Sequence, residues 1–224
     1  MLKRLPLVIL FSIAFAYIES AVVVYLRVIF HPGGFGFPLP VFELNPLWRR
    51  LILTEVGREA ATLVIIVTGG CLFGRNRRQW WAYALVIFAV WDIFYYVWLK
   101  VLIDWPASIM DWDILFLIPM AWASPVLYPV LVSIAMFGVA VAILWRDERN
   151  QPVRLGRPAG LASLAGCTII MVSFCIGGSH INKPDYAEYF WWPLFAVGYT
   201  LATAAMAKAV LGSSRQPDVD VSPR

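Results

Sequence analysis

Trp80–Ile103 reads WWAYALVIFAVWDIFYYVWLKVLI, a run with no Gly or Pro in which Asp92 and Lys100 are the only charged side chains. As a helix it rises about 36 Å, enough to cross a hydrocarbon layer roughly 30 Å thick. It is therefore a membrane span, and comparable runs recur on both sides of it. Upstream lie Leu5–Val28 and Leu51–Phe73, the second ending in the basic turn Gly74–Arg78. Downstream lie Ala159–Gly178 and Phe190–Leu211. Between Asp113 and Trp145 the apolar stretch exceeds one crossing, and Pro119, Pro125 and Pro129 fall in its first half. Proline removes a donor and breaks helices, which predicts a short interfacial or re-entrant piece near Ile114–Ala121 and then a span over Pro125–Trp145.

Composition agrees: 61% of the 224 residues are hydrophobic and 14% are charged. The expected fold is an all-α integral membrane protein of about six transmembrane helices, with a Pro-broken segment before the fourth. Residues 1–211 form one polytopic domain, and 212–224, rich in Ser, Pro and Asp, a disordered cytoplasmic tail. Lys3 and Arg4 ahead of an apolar run resemble the start of a signal peptide. The run is too long for one and carries Glu19 in its middle, so it is expected to be an uncleaved span.

Orientation follows from the basic residues. One set of connections, together with both termini, holds twelve Lys and Arg side chains, among them Arg75, Arg77, Arg78, Arg146, Arg149 and Arg154. The other holds four, Arg49, Arg50, Lys100 and Lys183. The positive-inside bias predicts cytoplasmic termini and a plasma membrane, bacterial inner membrane by type. The opposite face is acidic and aromatic, with Glu43, Asp104, Asp111, Asp113, Asp185 and Glu188 beside Trp48, Trp105, Trp112, Trp191 and Trp192. The net charge of +4 is scattered through short loops, so no nucleic-acid partner is expected. The partners in view are the lipid bilayer and further membrane subunits.

Function rests on ionisable residues inside the spans, each costing roughly 2.5–3.5 kcal/mol to place there unless it faces protein or water. By helix rise Glu19 lies about 13 Å below the outer boundary, Glu59 about 12 Å and Asp92 about 16 Å. Three helices thus put a carboxylate at one depth, which predicts a shared outward-facing pocket of Glu19, Glu55, Arg58, Glu59, Asp92 and Tyr96. Two stripes at four-residue spacing, Glu19-Val23-Arg27-His31 and Asp92-Tyr96-Lys100-Asp104, place Arg27, His31, Lys100 and Asp104 at its mouth. Carboxylates in excess over Arg58 favour protonated acids or a bound cation. The competing reading is an ion-pair staple in which Arg58 holds three helices together.

Glu19, Glu55, Glu59 and Asp92 form an oxygen-rich set suited to a divalent metal ion. His31 and His180 both lie in connections and no C-x-x-C-H occurs, so no haem is expected. Cys71, Cys167 and Cys175 read as buried apolar residues. No G-x-S-x-G nucleophile motif is present, and no internal repeat emerges between the two halves. Proton or cation handling, transport-like or ion-coupling, is the leading expectation. A membrane enzyme acting on a lipid-soluble substrate and a non-catalytic subunit of a larger complex are the alternatives. Ionisable residues are almost absent from the cytoplasmic halves of the spans, which weighs against full translocation.

Overall fold

A computed structural model describes residues 2–40 and 46–212. Met1, residues 41–45 and 213–224 lie outside the described residues, and with them Glu43 and nearly all of the expected tail. A single 3-10 turn, Leu2–Arg4, leads into α1 (Leu5–Phe30); α2 (Pro46–Phe73) and α3 (Arg77–Ile103) follow. Two strands, β1 (Trp112–Phe116) and β2 (Trp122–Pro125), precede α4 (Leu127–Glu148), α5 (Arg157–Gly178) and α6 (Trp192–Gly212). Each of the six helices is long and apolar enough to cross a bilayer. The chain is a polytopic membrane protein. Leu10, Ile18, Leu72 and Leu164 stand exposed on the helices, as side chains facing lipid do.

Local chemistry sets the ends of these helices. Asn76 caps α3 by accepting from the Gln79 amide at 3.1 Å. At the other end Asp104 takes a left-handed conformation, φ 54°, and Pro106 follows. Pro158 occupies the first turn of α5, where no donor is lost.

Helix α3 packs against α1, α2 and α4, while α5 pairs with α6. Val8, Ile66, Tyr83, Val86, Ile87 and Leu144 fill the end of the bundle where α1 begins and α2 ends. At that end the buried Asp147 accepts from Gln79, and from Asn76 and Arg78 at 3.4 Å, tying α4 to the start of α3. Gly166 and Gly198 bring the α5 and α6 backbones together, since a Cβ on Gly166 would lie 2.7 Å from the Gly198 oxygen.

The segment before α4 departs from an all-α fold. In place of a short interfacial piece, β1 and β2 pair antiparallel, with Trp112 opposite Pro125, Asp113 opposite Ser124 and Ile114 opposite Ala123. Residues such as Trp112, Ile114 and Phe116 favour an extended backbone, and the prolines bar a helix. The hairpin lies on α5 at Gly177 and Gly178, where an added Cβ would run into the carbonyl oxygens of Ala123 and Ala121. The α1–α2 connection is also held at this end, because the Leu39 amide donates to the Ile181 carbonyl at 2.8 Å. Phe37 packs there against Trp112 and Tyr186.

Gly178→Ala is expected to press a methyl group into the hairpin backbone and to lower stability by about 1–3 kcal/mol. Gly138→Ala, which meets nothing within 4 Å in α4, is expected to be neutral or to gain up to about 1 kcal/mol. Unfolding titrations in mixed micelles compare the two.

Candidate functional site

The helices alternate in direction, so the end of α1, the start of α2, the end of α3 and the hairpin meet at one end of the bundle. A cavity of about 470 Å³ lies beneath the hairpin. Its wall includes Glu19, Glu55, Arg58, Glu59, Asp92 and Tyr96, so all six residues of the expected pocket face one space. Apolar and aromatic side chains make up most of the rest, including Phe88, Trp91, Phe116, Trp122, Met171 and Phe174.

Arg58 joins two helices. Its guanidinium pairs with Glu19 across from α1 and with Glu55 one turn away on α2. Thr62, one turn further along α2, donates to Glu19 at 3.3 Å. Glu59 sits beside Arg58 in sequence yet turns to the hairpin, where its carboxylate accepts the Leu117 amide at 2.9 and 3.1 Å. Glu59 is 5% exposed, and a backbone donor is what a buried carboxylate needs. Asp92 accepts from Ser133 of α4 at 2.7 Å. Among the described residues it makes no ion pair.

The expected mouth divides. Arg27 borders the cavity but is buried: it donates to Asp113 at 3.0 Å, and its guanidinium lies between the rings of Phe35 and Trp105, 4.0 and 3.8 Å from their centroids. This cation–π sandwich holds the α1–α2 connection, the end of α3 and β1 together. His31 lines the cavity, and burial, with the Arg27 charge second, holds its imidazole below the ordinary value. Lys100 and Asp104 do not line the cavity; they pair with each other at 2.7 Å on the exposed end of α3. A neighbouring hollow shares Arg27, His31 and Phe35 with the cavity, so these residues form the partition between the two.

The carboxylates do not assemble as the metal cage their common depth suggests. Glu19 and Glu55 are engaged by Arg58, Glu59 by a backbone amide and Asp92 by a hydroxyl. Among the described residues no three Asp, Glu, His or Cys side chains converge to hold a metal ion.

Two groups were missed by sequence reasoning. Asp113, placed on the acidic outer face, is 2% exposed and pairs with Arg27. Only Trp112-Asp113-Ile114 alternates, and Ile114-Leu115-Phe116 is continuously apolar, so the burial of Asp113 had no clear local signal. Ser133 of α4 is the partner of Asp92, and nothing local in sequence announces a contact 41 residues away. Cys167 is exposed and lines the cavity, where the sequence suggested a buried residue.

No protein-family model, curated protein or solved structure matches the chain. The site must be read from its own chemistry.

Arg58→Ala strips one partner from Glu19 and Glu55 together. The expected loss is about 3 kcal/mol, at the low end for breaking a buried pair, because a fifth of the Arg58 side chain is exposed. The triple variant Glu19→Gln, Glu55→Gln, Arg58→Met removes both sides of the network and is expected to recover most of that loss in the same unfolding titration.

Proposed function

We propose that this protein binds a lipid-soluble organic molecule in the cavity beneath its hairpin and handles the polar end of that molecule with the carboxylates of α1, α2 and α3. The observation that carries this reading is the cavity itself. A volume of about 470 Å³ falls within the range of small-molecule sites, and a mostly apolar wall with a few convergent polar groups is their usual chemistry. Ligand processing in place is favoured over ion passage because the cavity and its acids lie at one end of the bundle, while the buried Asp147 at the other end is taken up by Gln79, Asn76 and Arg78. The other end is packed by Val8, Tyr83, Val86, Ile87 and Leu144.

Proton handling is the second reading, and Asp92 favours it. It faces the cavity with a hydroxyl partner alone, an environment in which a carboxyl group can gain or lose a proton as a ligand enters. The basic residues at the connections α2–α3 and α4–α5 support a cytoplasmic position for that end and an outward position for the hairpin, in a plasma membrane of bacterial inner-membrane type. Exposed apolar helix faces serve lipid in this reading, and would serve a partner subunit if one docks.

Met171→Trp fills the cavity from α5 without touching the Arg58 network. A lipid-soluble compound is expected to co-purify with the wild-type protein in mild detergent and to fall at least about tenfold in the variant, as read by solvent extraction and mass spectrometry. Equal recovery from both proteins, each monodisperse on gel filtration, would remove the cavity from consideration.

A further inference from the structure

The cavity is covered at both ends. Above it lie the hairpin and the α1–α2 connection, which is held by the Arg27 sandwich and by the Leu39–Ile181 hydrogen bond. Below it is the packed end of the bundle around Tyr83, Ile87 and Leu144. A molecule arriving along the bundle axis would have to displace close-packed structure.

The side of the bundle is different. Among the described residues α6 is the one helix packed closely on α5, so α2 and α5, which both line the cavity, are not closely packed on each other. The hairpin turn bridges them: the Leu117 amide is held by Glu59 of α2, and Ala121 rests on Gly178 of α5. Pro119 and Met120 between these two points are exposed. The turn is thus a lintel over a slot between two transmembrane helices.

Exposure traces the slot. Of the residues that line the cavity, Cys167 of α5 alone is exposed. It stands about 16 Å from the end of α5 at Gly178, near the middle of the span, with the exposed Leu164 one turn further in. On α2 the exposed Leu63 lies one turn beyond Glu59. At this depth the surrounding medium is hydrocarbon. On the cavity wall Glu55 and Arg58 each keep 21% of the side chain exposed, so polar contacts remain open to what enters.

Resting on the reading of this cavity as a ligand site, we infer that its ligand is a membrane lipid that enters sideways from the bilayer through the slot between α2 and α5. Its hydrocarbon chain lies past Cys167, and its polar end reaches Glu55 and Arg58. A chain left partly in the bilayer need not fit within a cavity of about 470 Å³.

Two photoreactive probes carrying the same diazirine test the route on the full chain in nanodiscs. One is a phosphatidylcholine with the diazirine at the end of an acyl chain, near the bilayer midplane; the other is azibutanol, small enough to reach the cavity by any path. Adducts are mapped by mass spectrometry. Both probes are expected to label Phe88 and Tyr95, half-buried cavity residues of α3, which α1, α2 and α4 surround. Ile18, exposed on α1, serves as the lipid-facing standard. Cys167→Trp narrows the slot and is expected to lower the lipid adducts at Phe88 and Tyr95 at least about tenfold, since a close-packed wall admits no chain, with Ile18 unchanged. The wild-type comparison of the two probes stands whether or not that variant folds.

Azibutanol adducts at Phe88 and Tyr95 without lipid adducts would overturn the inference and leave the cavity a site reached from water. Lipid adducts equal in the wild-type protein and a monodisperse Cys167→Trp would overturn it too, because the chain would then come by another route. Adducts at these residues from neither probe, with Ile18 labelled, would instead bring down the underlying reading of the cavity as a ligand site.

Discussion

A β-hairpin lodged at the end of a helical membrane bundle carries backbone N–H and C=O groups that lipid cannot satisfy, and the structure depends on how they are met. The strands answer some of them by pairing with each other. Leu117 lies past the end of β1, where the ladder stops, and its amide is taken by Glu59 of α2. In hydrocarbon an unsatisfied amide costs several kcal/mol, and so does an unpartnered carboxylate. Each group removes the other's penalty, which gives a reason for an acid to stand in the middle of α2.

The remaining ties follow from that arrangement. Arg27 fixes β1 through Asp113, and the glycines of α5 let the hairpin backbone lie directly on that helix. The hairpin therefore bridges the group of α1, α2 and α3 to the pair α5 and α6. Space is left below it because those two groups meet mainly through α4 and the hairpin. Acids, arginines and aromatics stand among the aliphatic side chains that line that space, so the cavity is chemically unlike the packed opposite end. Arg58 neutralises part of the acidity by joining Glu19 and Glu55.

Much of this was legible in the sequence, for reasons that can be separated. Six apolar runs long enough to span could be counted directly. Depth followed from helix rise and alternating direction, and Glu19, Glu59 and Asp92 do line one cavity. The stripe from Asp92 stops short of its last two members because Asp104 lies past the end of α3 in a left-handed conformation, where helical spacing no longer holds, and Lys100 pairs with it there. Neither Lys100 nor Asp104 lines the cavity. Arg27 is expected at the mouth from sequence but is buried in a pair, since its partner Asp113 is 86 positions distant. The hairpin was the largest omission: its strands have five and four residues, too few for a periodic signal to outweigh the surrounding helical pattern.

Hydrogen exchange at the hairpin amides, on protein in nanodiscs, tests the account at its centre. The Leu117 amide and the paired amides of 112–116 and 122–124 are expected to be protected in the wild-type protein, with Leu117 losing protection first in Glu59→Ala. Exchange of the wild-type hairpin at the rate of an open loop, or a Leu117 amide indifferent to Glu59, would contradict the claim that this carboxylate holds the roof of the cavity.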